Sequence, residues 1–264
     1  MTRWVAFAAL TLILLAFVLV SARSSERVVS ELTAEQPSRE PTVPDGADHL
    51  EAVGGYGEGP RTETGPRLSS VALLANVGAS HALFAVVLLL GIRVAGVPTG
   101  ALGVGVGVAG AEAVGVGIAV GLAIAAVNTL LSRVPDGDPS AALRELLTPD
   151  SPAGWVVLLG VVLPLIAGFE ELLFRAVLIG AFSAGFGLSP WLLAVASSVA
   201  FAAGHGAQGR LGIVATGALG FVLAAVFVAT GSLLVVVVAH YIVNAVEFGL
   251  EGVGNEPVSG SGRG

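Results

Sequence analysis

Residues 153–182 read AGWVVLLGVVLPLIAGFEELLFRAVLIGAF, and this stretch decides the fold class. As an α-helix it would extend about 45 Å, which exceeds the roughly 30 Å hydrocarbon core of a bilayer. It therefore predicts a membrane span that tilts or kinks, with the kink expected near Pro164. Three charged residues, Glu170, Glu171 and Arg175, interrupt the apolar run.

The rest of the chain is almost as apolar. Of its 264 residues, 55% are hydrophobic and 12% are charged, with a mean hydropathy of +0.89. Soluble domains carry roughly 25% charged residues, so a water-soluble globular fold is excluded and a polytopic membrane protein is predicted. The chain has no cysteine and no lysine, which excludes thiolate and Schiff-base chemistry. A net charge of −7 offers no basic face for nucleic acid.

Seven apolar stretches predict membrane-spanning helices, and they cover residues 4–20, 69–92, 101–131, 153–182, 190–205, 211–229 and 232–250. The predicted fold class is therefore all-α, a polytopic membrane helical bundle of about seven transmembrane helices with a disordered N-terminal linker. The third stretch is rich in glycine, a composition that suits close approach of helices in membranes.

The pattern divides the chain into four segments. Residues 1–22 are expected to form an N-terminal transmembrane anchor, with a signal peptide as the alternative. Residues 23–67 are rich in Glu, Pro, Gly, Ser and Thr, which predicts a disordered polar linker. Residues 68–252 form the helical membrane domain, and residues 253–264 form a flexible tail.

Arginine placement predicts the orientation in the membrane. With alternating spans, four arginines fall on the same side as the linker and one falls on the opposite side. The four are Arg133, Arg144, Arg210 and Arg263, and the one is Arg93. The positive-inside rule makes the linker side cytosolic. The first span then enters with its N-terminus outside and stays as an anchor, in a multi-pass protein of the cell membrane.

Ionisable residues inside the predicted spans cluster late in the chain. Charged groups in lipid are costly unless they are paired or face a cavity, so each one is a functional candidate. Glu171 and Arg175 are four residues apart on a helix and can pair on one face. Glu170 is rotated by about 100° from Glu171 and can point toward another helix, where it would be free to act as a general base.

Two histidines and an asparagine lie on later spans. His205 ends the stretch FAAGH, residues 201–205, and can hold a water against Glu170. His240 and Asn244 are four residues apart and share one helix face. An imidazole and a carboxamide placed in this way can donate hydrogen bonds to a developing oxyanion.

Each of these features also has a purely structural interpretation. A Glu–Arg pair in a membrane helix is often a clamp, and Phe201 would ordinarily be a lipid or core contact. His81 stands alone in the second span, where a helix–helix hydrogen bond is more common than catalysis, and Glu112 is expected at an interface. The combination of two acids, an arginine, two histidines and an asparagine on three spans favours a functional site.

These residues, in this order, resemble the CPBP family of intramembrane proteases, which includes the type II CAAX prenyl endopeptidases and the bacteriocin-processing, Abi-like proteins. The family signatures are EExxxR, FxxxH and HxxxN. In this chain they read Glu170-Glu171 with Arg175, Phe201 with His205, and His240 with Asn244. The resemblance covers roughly residues 71–250, and it identifies residues 68–252 as a CPBP-like intramembrane protease domain.

The resemblance implies a role for each motif residue. Glu170 would be the general base that activates the attacking water, and His205 would help to position that water. His240 and Asn244 would form the oxyanion site. Glu171 and Arg175 would be supporting residues that set the helix geometry.

The resemblance is compatible with either a metal-free glutamic-type hydrolase or a metalloprotease. The chain has no HExxH zinc motif. Glu170, His205 and His240 could nevertheless make a zinc site of two histidines and one carboxylate with an open water position. The prediction is a metal-free enzyme without a cofactor, and zinc is the alternative.

The predicted function is an intramembrane endopeptidase that hydrolyses peptide bonds of membrane-associated or lipidated peptides with a glutamate-activated water. The expected partners are membrane lipids and a peptide or prenylated protein substrate, with no nucleic acid. A proton-coupled membrane transporter is an alternative, although the paired halves with broken helices that are typical of transporters are not evident. A non-catalytic immunity or binding membrane protein is the other alternative, and the presence of every motif residue speaks against it.

Overall fold

The computed structural model describes residues 2–34, 70–132, 144, 147–149 and 151–254. Its helices are α1 (Thr2–Ala34), α2 (Ser70–Ala95), α3 (Gly110–Leu131), α4 (Pro152–Phe186), α5 (Pro190–Ala203), α6 (Gly209–Thr230) and α7 (Leu233–Gly254), with two short 3₁₀ turns, Thr99–Leu102 and Gly206–Gln208. Large apolar side chains such as Leu89, Val156 and Val214 are exposed on the outer faces, as expected where lipid replaces water.

The predicted all-α membrane bundle is confirmed. Within the described ranges, six helices are long and apolar enough to cross a membrane, and α5 is a shorter apolar helix. The fifth predicted span, residues 190–205, corresponds to α5, which has 14 residues. A helix of that length extends about 21 Å, which is less than the roughly 30 Å hydrocarbon core. The fifth prediction is therefore right about an apolar helix, which is shorter than the predicted stretch.

The third predicted span, residues 101–131, is wrong at its beginning, because α3 begins at Gly110. Gly103, Gly105 and Gly107 adopt φ angles of 71°, 75° and 65°. These values lie in the left-handed region, which a right-handed helix does not use and which glycine adopts at little cost. The glycine-rich sequence therefore forms a loop before the helix.

The first helix is longer than the predicted anchor. Helix α1 continues to Ala34, into the segment predicted as a linker, and the rest of that linker, residues 35–67, lies outside the described residues. Residues 255–264 of the predicted tail lie outside them as well. Helix α1 packs against α2 and against the turn Gly206–Gln208, and its role as an anchor rather than a signal peptide stays a prediction.

Helix α4 lies at the centre of the bundle. Between Leu172 and Ala181 every residue except Gly180 is buried. Apart from Arg175 this stretch is apolar on all faces, and such a helix is stable where other helices surround it. Helices α2 and α7 pack against its segment Leu163–Glu171, while α5 and the turn Thr99–Leu102 pack against Leu172–Ala181. This central position brings the polar residues of α4 close to several other helices.

Two stretches of α4 are π-helical, Leu158–Val162 and Leu172–Ala181. The predicted irregularity near Pro164 takes the form of the first of these wider segments. Proline has no N–H to donate to the carbonyl of Gly160, and a π-helical turn accommodates that loss. The second π-helical stretch begins directly after Glu171 and has no counterpart in the sequence pattern. Such turns are frequent at functional sites.

Glycines hold α3 tightly against α7. A Cβ atom added at Gly117 would lie 2.7 Å from the carbonyl oxygen of Val235, and one added at Gly121 would lie 2.7 Å from that of Ala239. Both positions are therefore places of close backbone approach. Gly115, on the same helix, has nothing within 4 Å of such an atom.

We expect Gly121→Leu to destabilise the bundle, because the new side chain would press on Ala239 and Ile242 of α7. Overpacking of this kind costs about 1–3 kcal/mol. The midpoint of thermal unfolding of the purified protein in detergent should fall clearly. Gly115→Leu is the matched control, since its side chain has open space, and it should unfold near the wild-type temperature. Equal midpoints for the two variants would show that α3 and α7 do not depend on this contact.

Candidate active site

Glu171 is the fully buried centre of a polar network that joins three helices. Its Oε1 accepts a hydrogen bond from Arg175 Nη1 at 3.0 Å and lies 2.7 Å from His240 Nδ1. Arg175 Nη2 donates to the carbonyl oxygen of Gly220 on α6 at 3.0 Å. The predicted pairing of Glu171 with Arg175 on one face of the helix is confirmed.

The network also fixes the ring of His240. A carboxylate only accepts hydrogen bonds, so the hydrogen between Glu171 and His240 belongs to Nδ1. The other ring nitrogen, Nε2, then faces Glu170, whose Oε2 lies 3.6 Å away. Glu171 therefore does more than neutralise Arg175, because it also orients a predicted site residue of α7.

Glu170 stands outside the ion pair and faces other helices, as its rotation on α4 predicts. Its side chain is 13% exposed, whereas that of Glu171 is 0% exposed. Its Oε1 lies 3.9 Å from His81 Nε2 on α2. His81, His205 and His240 all interact electrostatically with its carboxylate. The carboxylate of Glu170 therefore lies near histidines from three separate segments.

His205 follows the end of α5 and lies between that helix and the short turn Gly206–Gln208. His205 Nδ1 lies 2.8 Å from the carbonyl oxygen of Phe201, which requires Nδ1–H to donate and leaves Nε2 as an acceptor in the neutral ring.

Phe201 is the first residue of the second motif, and its ring packs against residues of the first and the second motif. Its ring is buried and lies 4.6 Å from the ring of His205, while the guanidinium of Arg175 stands 4.7 Å above its centroid. A cation over an aromatic face is stabilised by the ring quadrupole. The phenylalanine is thus a core contact, as its structural interpretation predicts, and it also connects the first motif to the second.

Asn244 lies one helical turn beyond His240 on α7 and is half-buried. Its carboxamide makes no hydrogen bond with the described residues. Further along the same helix, Glu247 Oε1 accepts from Asn128 Nδ2 at 2.8 Å and Oε2 lies 3.9 Å from Arg144 Nη1. Glu247 therefore connects α3 to α7, whereas the carboxamide of Asn244 has no such hydrogen bond among the described residues.

His81 lies beside a predicted site residue with which it shares no motif. The sequence favoured a helix–helix hydrogen bond for His81 over catalysis, and its Nε2 lies 3.9 Å from Glu170 Oε1 on another helix. No motif links it to the later helices, and only the rule that ionisable residues in membranes are functional by default could have identified it. Glu112, by contrast, is exposed in the first turn of α3, in keeping with the predicted interfacial position.

The alternative zinc site does not fit the arrangement. Glu170, His205 and His240 have suitable donor atoms. However, no group of three or more His, Cys, Asp or Glu side chains in the described part of the chain is placed to hold a metal ion. We therefore derive no step through zinc, and the metal-free mechanism stays a prediction.

Comparison with known protein families gives a match over the later part of the chain. The family model described as type II CAAX prenyl endopeptidase Rce1-like matches residues 152–246. This range is shorter than the predicted 71–250, but it contains all three motifs and excludes His81. No curated protein and no solved structure matches the chain. The predicted resemblance is confirmed over these residues: the chain is a multi-pass membrane protein whose residues 152–246 are similar to the Rce1-like type II CAAX prenyl endopeptidases.

Proposed function

We propose that this protein is an intramembrane endopeptidase in which Glu170 activates water to hydrolyse peptide bonds of membrane-associated or lipidated peptides. The observation that carries the proposal is the placement of Glu170. Its carboxylate is free of the Glu171–Arg175 pair and faces the imidazoles of His81, His205 and His240. A carboxylate held in this way at membrane depth suits a general base.

The reaction begins with proton transfer from water to Glu170. As the water oxygen bonds to the scissile carbonyl carbon, the Glu170 carboxylate takes the proton and a tetrahedral oxyanion forms. When the carbon–nitrogen bond breaks, the same proton passes to the leaving amine, and the carboxylate is regenerated. His205 Nε2, an acceptor in the neutral ring, takes a hydrogen bond from the attacking water and so helps to orient it.

His240 and Asn244 form the proposed oxyanion site. The carboxamide of Asn244 donates from its Nδ2 without any change of state. His240 already donates from Nδ1 to Glu171, so a second donation from Nε2 requires the doubly protonated ring. Glu171, with Arg175 beside it, is therefore a supporting residue on which the oxyanion site depends.

In this proposal, substrates reach the site from the side of the membrane on which α5 ends. The last turn of α5 and the turn Gly206–Gln208, which bracket His205, lie toward that side. Alternating spans predict the same side for Arg144 and Arg210, and the positive-inside rule assigns that side to the cytosol. We propose that the protein resides in the cell membrane and takes prenylated C-terminal peptides, the substrates named in the description of its family model, from the cytosolic leaflet.

A comparison of protein termini tests the proposal and does not require an identified substrate. Cells producing the wild-type protein or Glu170→Ala are grown in parallel, and the termini of proteins in the membrane fraction are identified by mass spectrometry. We expect a set of new termini in the wild-type cells alone. Glu251→Gln, a change at the end of α7, is the matched control and should give the wild-type set. Identical termini in all three cultures would favour a non-catalytic binding protein.

The metal-free mechanism makes a separate prediction. Hydrolysis of a farnesylated peptide ending in a C-a-a-X sequence by the purified protein should be unchanged after dialysis against EDTA and 1,10-phenanthroline, because Glu170 requires no metal to accept a proton. Metal analysis of the active protein should give no stoichiometric zinc. Loss of activity on dialysis with recovery on adding zinc would instead establish the zinc alternative.

A further inference from the structure

His81 is a polar residue of α2 that no motif of the Rce1-like domain includes. It lies outside the matched residues 152–246, yet its Nε2 is 3.9 Å from Glu170 Oε1. Its side chain is 21% exposed, so it is mostly enclosed by the bundle. An ionisable side chain in this position carries a desolvation cost that packing alone does not require.

The orientation of the ring is fixed on two sides. Nδ1 lies 2.8 Å from the carbonyl oxygen of Val77 and must donate its hydrogen there. The ring also meets Phe169 edge to face, with the centroids 5.5 Å apart. Phe169 precedes Glu170 on α4, so the same contact that holds the imidazole also connects it to the backbone beside the proposed base.

This geometry determines what Nε2 can do. With Nδ1–H donated to Val77, Nε2 of the neutral ring carries a lone pair and accepts. A carboxylate oxygen also only accepts, so while the ring is neutral the two atoms have no hydrogen to share before the reaction. Once Glu170 has taken a proton from water, its carboxyl group becomes a donor and His81 Nε2 is an acceptor directly before it. Catalytic hydrogen bonds that are long in the free enzyme commonly shorten in the reacting complex.

We propose that His81 is a positioning residue that accepts a hydrogen bond from the protonated Glu170 carboxyl group, in the catalytic cycle proposed above. Oε1 of Glu170 faces His81 while Oε2 faces His240, so the two imidazoles hold the carboxyl group from opposite helices. The bond retains the proton on Oε1 between its removal from water and its delivery to the amine. The site is thus completed by α2, a helix outside the matched domain.

The kinetic test uses three variants and the farnesylated C-a-a-X peptide. We expect His81→Leu to lower kcat about ten-fold, the value of one hydrogen bond at a reacting group, with KM nearly unchanged. His81→Gln can still accept and should recover part of the rate. Phe84→Leu is the matched control, because Phe84 packs on Phe169 at 5.9 Å and its loss loosens the same helix contact without removing the imidazole. Wild-type kcat in His81→Leu, or an equal loss in Phe84→Leu, would overturn the proposal.

A spectroscopic measurement tests the contact between His81 and protonated Glu170 without an activity assay. The infrared difference between the wild-type protein and Glu170→Gln isolates the carboxyl bands of Glu170 on lowering the pH. We expect His81→Leu to shift the C=O band of protonated Glu170, since its hydrogen-bond acceptor is gone, and Phe84→Leu to leave it in place. An unshifted band in His81→Leu would refute the contact. If Glu170→Gln kept full activity, the proposed function would fail, while this band would still show whether His81 accepts a hydrogen bond from the protonated Glu170 carboxyl group.

Discussion

Glu170→Gln is expected to lower the rate of peptide-bond hydrolysis by about 10³- to 10⁴-fold, the upper range for loss of a general base. Glutamine has nearly the same shape but cannot take a proton from water. Glu170 is not a partner in the buried ion pair, so its replacement leaves Arg175 neutralised and the bundle intact. The expected result is therefore an inactive protein with a wild-type melting temperature.

The measurement compares initial rates for the farnesylated C-a-a-X peptide with the purified variants in lipid nanodiscs. Glu251→Gln is again the control, since its carboxylate pairs with Arg144 at 3.7 Å at the end of α7 and takes no part in the reaction. It should retain the wild-type rate. A fully active Glu170→Gln protein would exclude Glu170 as the base and with it the mechanism.

Glu171→Gln is expected to lower both stability and activity. Glu171 and Arg175 are each 0% exposed, and removing one partner of a buried pair costs about 3–5 kcal/mol because the other charge stays uncompensated. The same change weakens the bond that orients His240. Thermal unfolding and peptide hydrolysis, measured on the same preparation, should therefore both decline.

A double variant separates the two effects. Glu171→Met combined with Arg175→Leu removes both charges together, and replacing a buried pair with apolar residues is often neutral or stabilising. We expect the melting temperature to recover while activity stays low, because His240 still lacks its partner. An active double variant would show that Glu171 acts only through Arg175.

The helices could be predicted because lipid imposes a strong and simple pattern. Long apolar stretches identified α2, α4, α6 and α7, since a spanning segment must satisfy its own backbone hydrogen bonds. Hydropathy alone could not locate the start of α3, because Gly103 and Gly107 lie in an apolar stretch of sequence and yet adopt left-handed φ angles. It also overestimated the length of α5, which ends at Ala203 rather than at residue 205.

The site could be predicted in part. Helical spacing places Glu171 with Arg175, and it separates Glu170 from them, because neighbours on a helix point about 100° apart. The bond between Glu171 and His240 joins residues that are far apart in the chain, and no local spacing encodes it. The contact between His81 and Glu170 could not be predicted for the same reason, since only the packing of α2 on α4 brings the two residues together.

The pairing of Glu171 with Arg175 inside one helix has a consequence for biogenesis. A chain is made from its N-terminus, so α4 enters the bilayer before α6 and α7 exist. A lone arginine or acid at the centre of an entering helix costs roughly 2.5–3.5 kcal/mol. Because both charges lie on α4, they neutralise each other during insertion without help from later segments. Gly220 and His240 then join a pair that is already formed. The Glu171–Arg175 pair can thus form as soon as α4 has been made, before the helices that later contact it.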